Sequence, residues 1–263
     1  MVNKAITTEG EFKVLIRKPT FLAALVLACT LPLSAQAAET PHWVHYKLLQ
    51  TKSKLPKKVV VLPVDIEVME VSAGGVKEEV PQWSAKASKN VFKSLSTAIR
   101  KDSTMKEVRV PKLSRKSSGV VDEHMALYKL VVNTASNIGW EHKIRRFDYS
   151  IGPGLKNLRR VTGADAAVMV YGRDYVSTAG RKAKAVAGNI PIINIFTGPP
   201  PKLGHSYVHI GMVDLRTGDL LWMNNEYREG ASNLQDYGDA NDMIEEIIEW
   251  YPGIEKYRKV YIK

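Results

Sequence analysis

The chain has one cysteine in 263 residues. That scarcity excludes an intramolecular disulfide framework and any multi-cysteine zinc or iron–sulfur centre. Phosphate loops of the Walker type are also missing. The nearest phrase, Gly180-Arg181-Lys182-Ala183-Lys184, lacks the required glycine spacing. No G-x-S-x-G nucleophile elbow is present. Acidic residues are in deficit, 27 against 38 basic, for a formal net charge of +11. Nothing in the composition calls for a cofactor.

The first 37 residues read as an export signal rather than as structure. Lys4, Lys13, Arg17 and Lys18 precede an apolar run from Phe21 to Leu33, and Ala35 and Ala37 supply the small-x-small pattern of a cleavage site. The run is 13 residues long, shorter than the ~20 of a spanning helix. Cleavage between Ala37 and Ala38 is the expected processing. A second route stays open at Cys29, because Val26-Leu27-Ala28-Cys29 resembles a lipobox in which the cysteine is lipidated. Removing the four basic and two acidic residues of 1–37 leaves 34 against 25, or +9, so the basic character belongs to the mature chain.

Residues 38–57 form a polar lead-in, and 58–263 read as one domain. Val59–Val71 predicts a strand bent at Pro63. Trp83, Ala87, Val91, Leu95 and Ile99, four apart, predict a helix. Val108–Leu113 predicts an edge strand limited by Pro111, and Val121 to Ala135 a second long helix. Gly152-Pro153-Gly154 opens a short helix that Gly163 closes, and Ala166–Val176 reads as a buried strand. Tyr207–Leu215 and Leu220–Tyr227 make a hairpin across Arg216-Thr217-Gly218-Asp219. A last helix spans Ala240 to Tyr251, with Asp239 as its cap and Pro252-Gly253 as its stop. Strands and helices intermix with at least one antiparallel pair, so the expected class is a mixed α/β (α+β) sheet with helices packed on it, in two or three layers.

Three segments carry a family resemblance: Val59-Val60-Val61-Leu62-Pro63-Val64, then Thr162-Gly163-Ala164-Asp165 running into Ala166–Gly172, then Val213-Asp214-Leu215-Arg216-Thr217-Gly218-Asp219-Leu220-Leu221-Trp222. Over roughly residues 58–250 the chain resembles bacterial envelope proteins of the CsgG, LpoB and TolB amino-terminal type. The resemblance implies an anticodon-binding-like mixed sheet. It also implies a non-enzymatic role in secretion, envelope assembly or activation of wall enzymes. No functional residue is carried over from it.

Candidate sites come from charge and from an apolar insertion. At 100° per residue, Lys86, Lys89, Lys93 and Arg100 fall within an arc of roughly 60° on the first helix, opposite Val91 and Leu95. Residues 86–116 hold ten basic and two acidic residues. Lys156, Arg159 and Arg160, with Arg145 and Arg146, make a second basic group. Such density attracts polyanions, and a solvated helix face is the plain alternative. The segment 179–204 is apolar and proline-rich, and Ile190, Ile192, Ile193, Ile195 and Phe196 offer either a packed extra strand or a docking loop.

Metal and acid–base chemistry find less support. His205 and His209 lie in a strand, where four residues span about 13 Å, too far for one zinc ion. His42 and His45 in the lead-in read as surface or docking residues. The acidic residues around Asp239–Glu249 read as a solvated helix face. An enzyme acting on envelope polysaccharide or lipid is the competing class. It would need paired carboxylates, such as Asp65 or Glu67 near Asp174 or Asp214. The reading is therefore a periplasmic accessory or adaptor protein, attached to the outer membrane if lipidated. It meets an envelope protein or an anionic envelope surface, self-association is open, and nucleic acid is not a partner.

Overall fold

The computed structural model describes residues 43–45, 48, 55–102, 105–142, 147–188, 203–230 and 233–252, all within the compact unit Pro41–Lys263. Cys29, Ala37, Ala38, His42, Arg145 and Arg146, and the insertion residues Ile190, Ile192, Ile193, Ile195 and Phe196, lie outside the described residues.

Eight strands and five α-helices are described. They are β1 (Trp43–Val44), β2 (Lys58–Val61), β3 (Asp65–Val71), β4 (Lys77–Glu79), α1 (Pro81–Asp102) and β5 (Lys106–Glu107). Then come α2 (Arg115–His142), α3 (Lys156–Thr162), β6 (Ala166–Ser177), α4 (Ala179–Gly188), β7 (His205–Asp214), β8 (Leu220–Glu229) and α5 (Tyr237–Ile248). One mixed sheet runs β1-β8-β7-β6-β2-β5, with β3 also on β6 and β4 on β3. β2, β3 and β5 belong to the parallel part, whereas β6, β7, β8 and β1 pair antiparallel in succession.

The sheet is buried on both faces, which gives three layers and confirms the α/β class. Along β6, Ala166, Val168 and Val170 point into a core shared with α1 and α5. Ala167, Met169 and Tyr171 point into a second core under α2 and α3. A central strand with helices on both sides reads as a continuous apolar run, which is how Ala166–Tyr171 reads. The expected α1 face is buried as spaced: Ala87, Val91, Leu95 and Ile99 are all fully enclosed. Trp222 is buried and meets Tyr251 edge-on at 5.4 Å between ring centres.

Several expectations need correction. Pro63 breaks the first strand rather than bending it. β2 pairs Val59 with Ala166, but β3 pairs Asp65 with Tyr171, so the chain takes one extra residue between them along the same partner. The edge strand is Lys106–Glu107, ahead of Val108–Leu113, because it follows the Lys58–Val59 edge of β2. The lead-in is not wholly polar and external. Trp43 and Val44 pair with Met223 and Trp222, and His45 and Leu48 are buried. The insertion begins with helix α4, an element not expected there. Asp236, not Asp239, caps α5, accepting from the Gly238 and Asp239 N–H groups, while Asp239 accepts from the Asn233 N–H. Gly163 closes α3 with φ 67°, as expected.

Candidate functional site

The basic face of α1 forms because Pro81 starts the helix and no glycine or proline interrupts it before Asp102. With the apolar side committed to the core, Lys86, Lys89, Lys93 and Arg100 are all exposed on the outer side. Their charges are not equivalent. The Arg100 guanidinium is paired with Glu107 at 3.1 Å, and Ser96 also donates to that carboxylate. Lys93 Nζ stands 4.3 Å from the centre of the Tyr237 ring at the start of α5. Lys86 and Lys89 make no ion pair among the described residues.

At the C-terminal end of α1 the stripe adjoins an open cleft of about 940 Å³ at the carboxyl ends of β2 and β5. Phe92, Arg100, Lys106, Glu107, Arg109 and Leu113 are among its walls. Glu107 is spent on Arg100, so among the described residues Lys106 and Arg109, both exposed, are its uncompensated charges. Phe92 is 41% exposed and lies roughly 60° round the helix from Lys89. It gives a positive surface an aromatic side chain to bury. Carboxyl ends of parallel strands are the usual ligand edge of an open α/β sheet. The basic count over 86–116 contained Lys106 and Arg109, but their meeting with Phe92 depends on β5 pairing with β2.

The other basic group is partly described. Lys156, Arg159 and Arg160 are exposed on α3, with Arg160 Nη2 donating to Asn157 at 2.9 Å.

Both strand histidines point to the α2 side of β7, and each stacks on a tyrosine of β6. His209 lies parallel to Tyr171 with 4.8 Å between ring centres, and His205 sits 4.3 Å from Tyr175. Burial pushes the His209 imidazole down to about 4, so it is neutral near pH 7. Among the described residues no three or more His, Cys, Asp or Glu side chains gather as a metal site. His45, expected at the surface, is buried beside the β1–β8 pairing.

The four carboxylates an acid–base enzyme would draw on each have partners of their own, and Asp174 does not share the face of Asp65 and Glu67. Asp65 pairs with Lys129, and Glu67 with Arg173, on the α2 side of the sheet. Asp174 is on the opposite side, accepting from the Ser206 hydroxyl at 2.7 Å and the Leu234 N–H at 2.9 Å. Burial raises its carboxyl above the usual range, while those two bonds oppose the shift. Asp214 accepts from the Arg216 and Thr217 N–H groups and shapes the hairpin turn. Among the described residues no helix is long and apolar enough to cross a membrane.

The chain matches no family model and no curated protein, so the site rests on its own geometry.

Proposed function

We propose that the chain is an exported, non-catalytic accessory or adaptor protein of the bacterial envelope that works against an anionic envelope surface. The observation that carries this is the exposed basic residues Lys86, Lys89 and Lys93 on α1, together with Lys106 and Arg109 in the cleft at the end of that helix. Long-range attraction of this kind needs no shaped pocket, and each lysine near an anionic membrane contributes about 1 kcal/mol. The signal-like segment 1–37 supplies the compartment, where lipid head groups and acidic wall polymers are the available polyanions. The resemblance to CsgG, LpoB and TolB amino-terminal proteins points the same way. The separate structural duties of Asp65, Glu67, Asp174 and Asp214 further favour a binding role over envelope hydrolysis.

Flotation tests the reading. The mature chain is expected to float with vesicles of phosphatidylglycerol and phosphatidylcholine and not with phosphatidylcholine alone. The triple variant Lys86→Glu, Lys89→Glu, Lys93→Glu should lose about 100-fold or more in partitioning, from about 1 kcal/mol per lysine. Equal flotation of wild type and variant overturns it. The mass of the mature amino terminus separates cleavage at Ala37–Ala38 from lipidation at Cys29.

A further inference from the structure

A second cleft lies between the first turns of α2 and helix α3, with a volume of about 360 Å³. It is apolar inside: Val120, Val121, Leu155, Leu158 and Val161 face it, together with Leu113. Its lip carries Lys116, Ser117 and Asn157. The cleft follows from a close approach at one end. A Cβ on Gly154 would stand 2.2 Å from the His124 ring, so the turn before α3 abuts α2 there. His124 is itself held by a 2.8 Å bond between Nδ1 and the Val120 carbonyl oxygen. On the N-terminal side of this contact the gap between α2 and α3 remains unfilled. Val161 on α3 is 48% exposed at its mouth.

Leu113 lines both this apolar cleft and the basic cleft beside α1. One wall therefore separates an aliphatic slot from a site with two cations, Lys106 and Arg109, that have no counter-charge among the described residues. A slot of this size is within the range of small-ligand pockets. The juxtaposition suits a molecule with one hydrocarbon tail next to an anionic head. A purely apolar partner would leave the two cations without a counter-charge. A soluble polyanion would leave the slot exposed to water.

We propose that the two clefts together hold one single-chain anionic phospholipid of the envelope, a lysophospholipid, with its acyl chain between α2 and α3 and its phosphate beside Lys106 and Arg109. This rests on the anionic-surface reading above and narrows it to a single extracted lipid.

Titration calorimetry on the mature chain tests the proposal with dodecyl phosphate as probe, glycerol phosphate as head alone and dodecyl maltoside as tail without charge. Dodecyl phosphate should bind at least about tenfold more tightly than either partial probe, the worth of roughly two buried methylenes. Val161→Trp, at an exposed position, should fill the slot and weaken dodecyl phosphate by about tenfold or more while leaving vesicle flotation intact. Lys106→Glu with Arg109→Glu should weaken it comparably. Val161→Asp serves as a second block, and melting curves like the wild type's verify folding. Dodecyl maltoside binding as tightly as dodecyl phosphate overturns the proposal, because the anionic head would then contribute nothing. Dodecyl phosphate binding untouched by both Val161 variants also overturns it. Loss of flotation in the α1 triple variant alone, with calorimetry unchanged, supports both readings. Flotation without dodecyl phosphate binding sinks only the lipid site.

Discussion

His209 shows how a single residue couples the sheet to pH. Its ring lies flat on Tyr171 and edge-on to Tyr207, and burial holds its titration near 4 against 6.5 for a free histidine. The unfolded chain therefore takes this proton first. Stability falls as the pH drops from 6.5 toward 4, and the loss is complete below that window. Between about pH 7 and about pH 4.5 the histidine accounts for about 2 kcal/mol. His209→Phe keeps the stack and should remove that share of the acid sensitivity in urea melts. An unchanged pH slope would show that the imidazole is not shielded.

The Tyr128–Gly211 contact is a second residue-scale test. A Cβ on Gly211 would stand 2.5 Å from the Tyr128 hydroxyl, which is buried and has no hydrogen-bond partner among the described residues. Gly211→Ala should cost about 1–3 kcal/mol through overpacking. Tyr128→Phe should be neutral or stabilising alone, because it removes an unsatisfied hydroxyl, and should relieve the alanine variant. Thermal melts of the two single variants and the double variant read this coupling. At this scale the sequence placed His205 and His209 on one strand face. It did not disclose what stacks on them, because Tyr171 and Tyr175 arrive through a non-local register.

Helix α1 has a structural duty that its amphipathic pattern does not reveal. β4 pairs with β3 only from Met69 to Val71, which leaves the earlier part of that edge uncovered. Two serines one turn apart close it: Ser84 accepts from the Val68 N–H at 2.9 Å and Ser88 from the Ile66 N–H at 3.2 Å. Sheet edges left open invite pairing with other chains. Ser84→Ala should cost about 1–3 kcal/mol by leaving a buried N–H unsatisfied, read as a lower urea midpoint. A neutral result would mean that water reaches the edge.

Legibility at this level followed the strength of the apolar period. α1, α2, β6 and the β7–β8 hairpin were readable because their buried residues recur at helical or strand spacing. β4, with sequence Lys-Glu-Glu, and β5, with Lys-Glu, have no apolar alternation and exist only through their partners. The α5 cap was misplaced by three residues because Asp236 and Asp239 are chemically alike, and only the backbone path chooses between them.

On the scale of the whole molecule, the three layers divide the labour. The core beneath α1 and α5 fixes a helix whose outer side is basic, and the core beneath α2 and α3 leaves the slot at Val161. The charge excess is legible from composition, and the helical spacing puts Lys86, Lys89, Lys93 and Arg100 on the side of α1 that is exposed. Their inequality was not legible, because Arg100 meets Glu107 and Lys93 meets Tyr237 only in the folded chain. Nor could spacing show that Phe92, Lys106, Arg109 and Leu113 border one cleft, since β5 must first pair with β2.

The central claim, that this molecule meets the envelope through the basic surface of α1, is tested most directly by site-specific photo-crosslinking in intact cells. A crosslinker at Lys89 should capture anionic lipid or envelope material, and one at Ala126, exposed on α2 in the opposite layer, should not. Equal capture from both positions, or capture of cytoplasmic components from Lys89, would contradict the account.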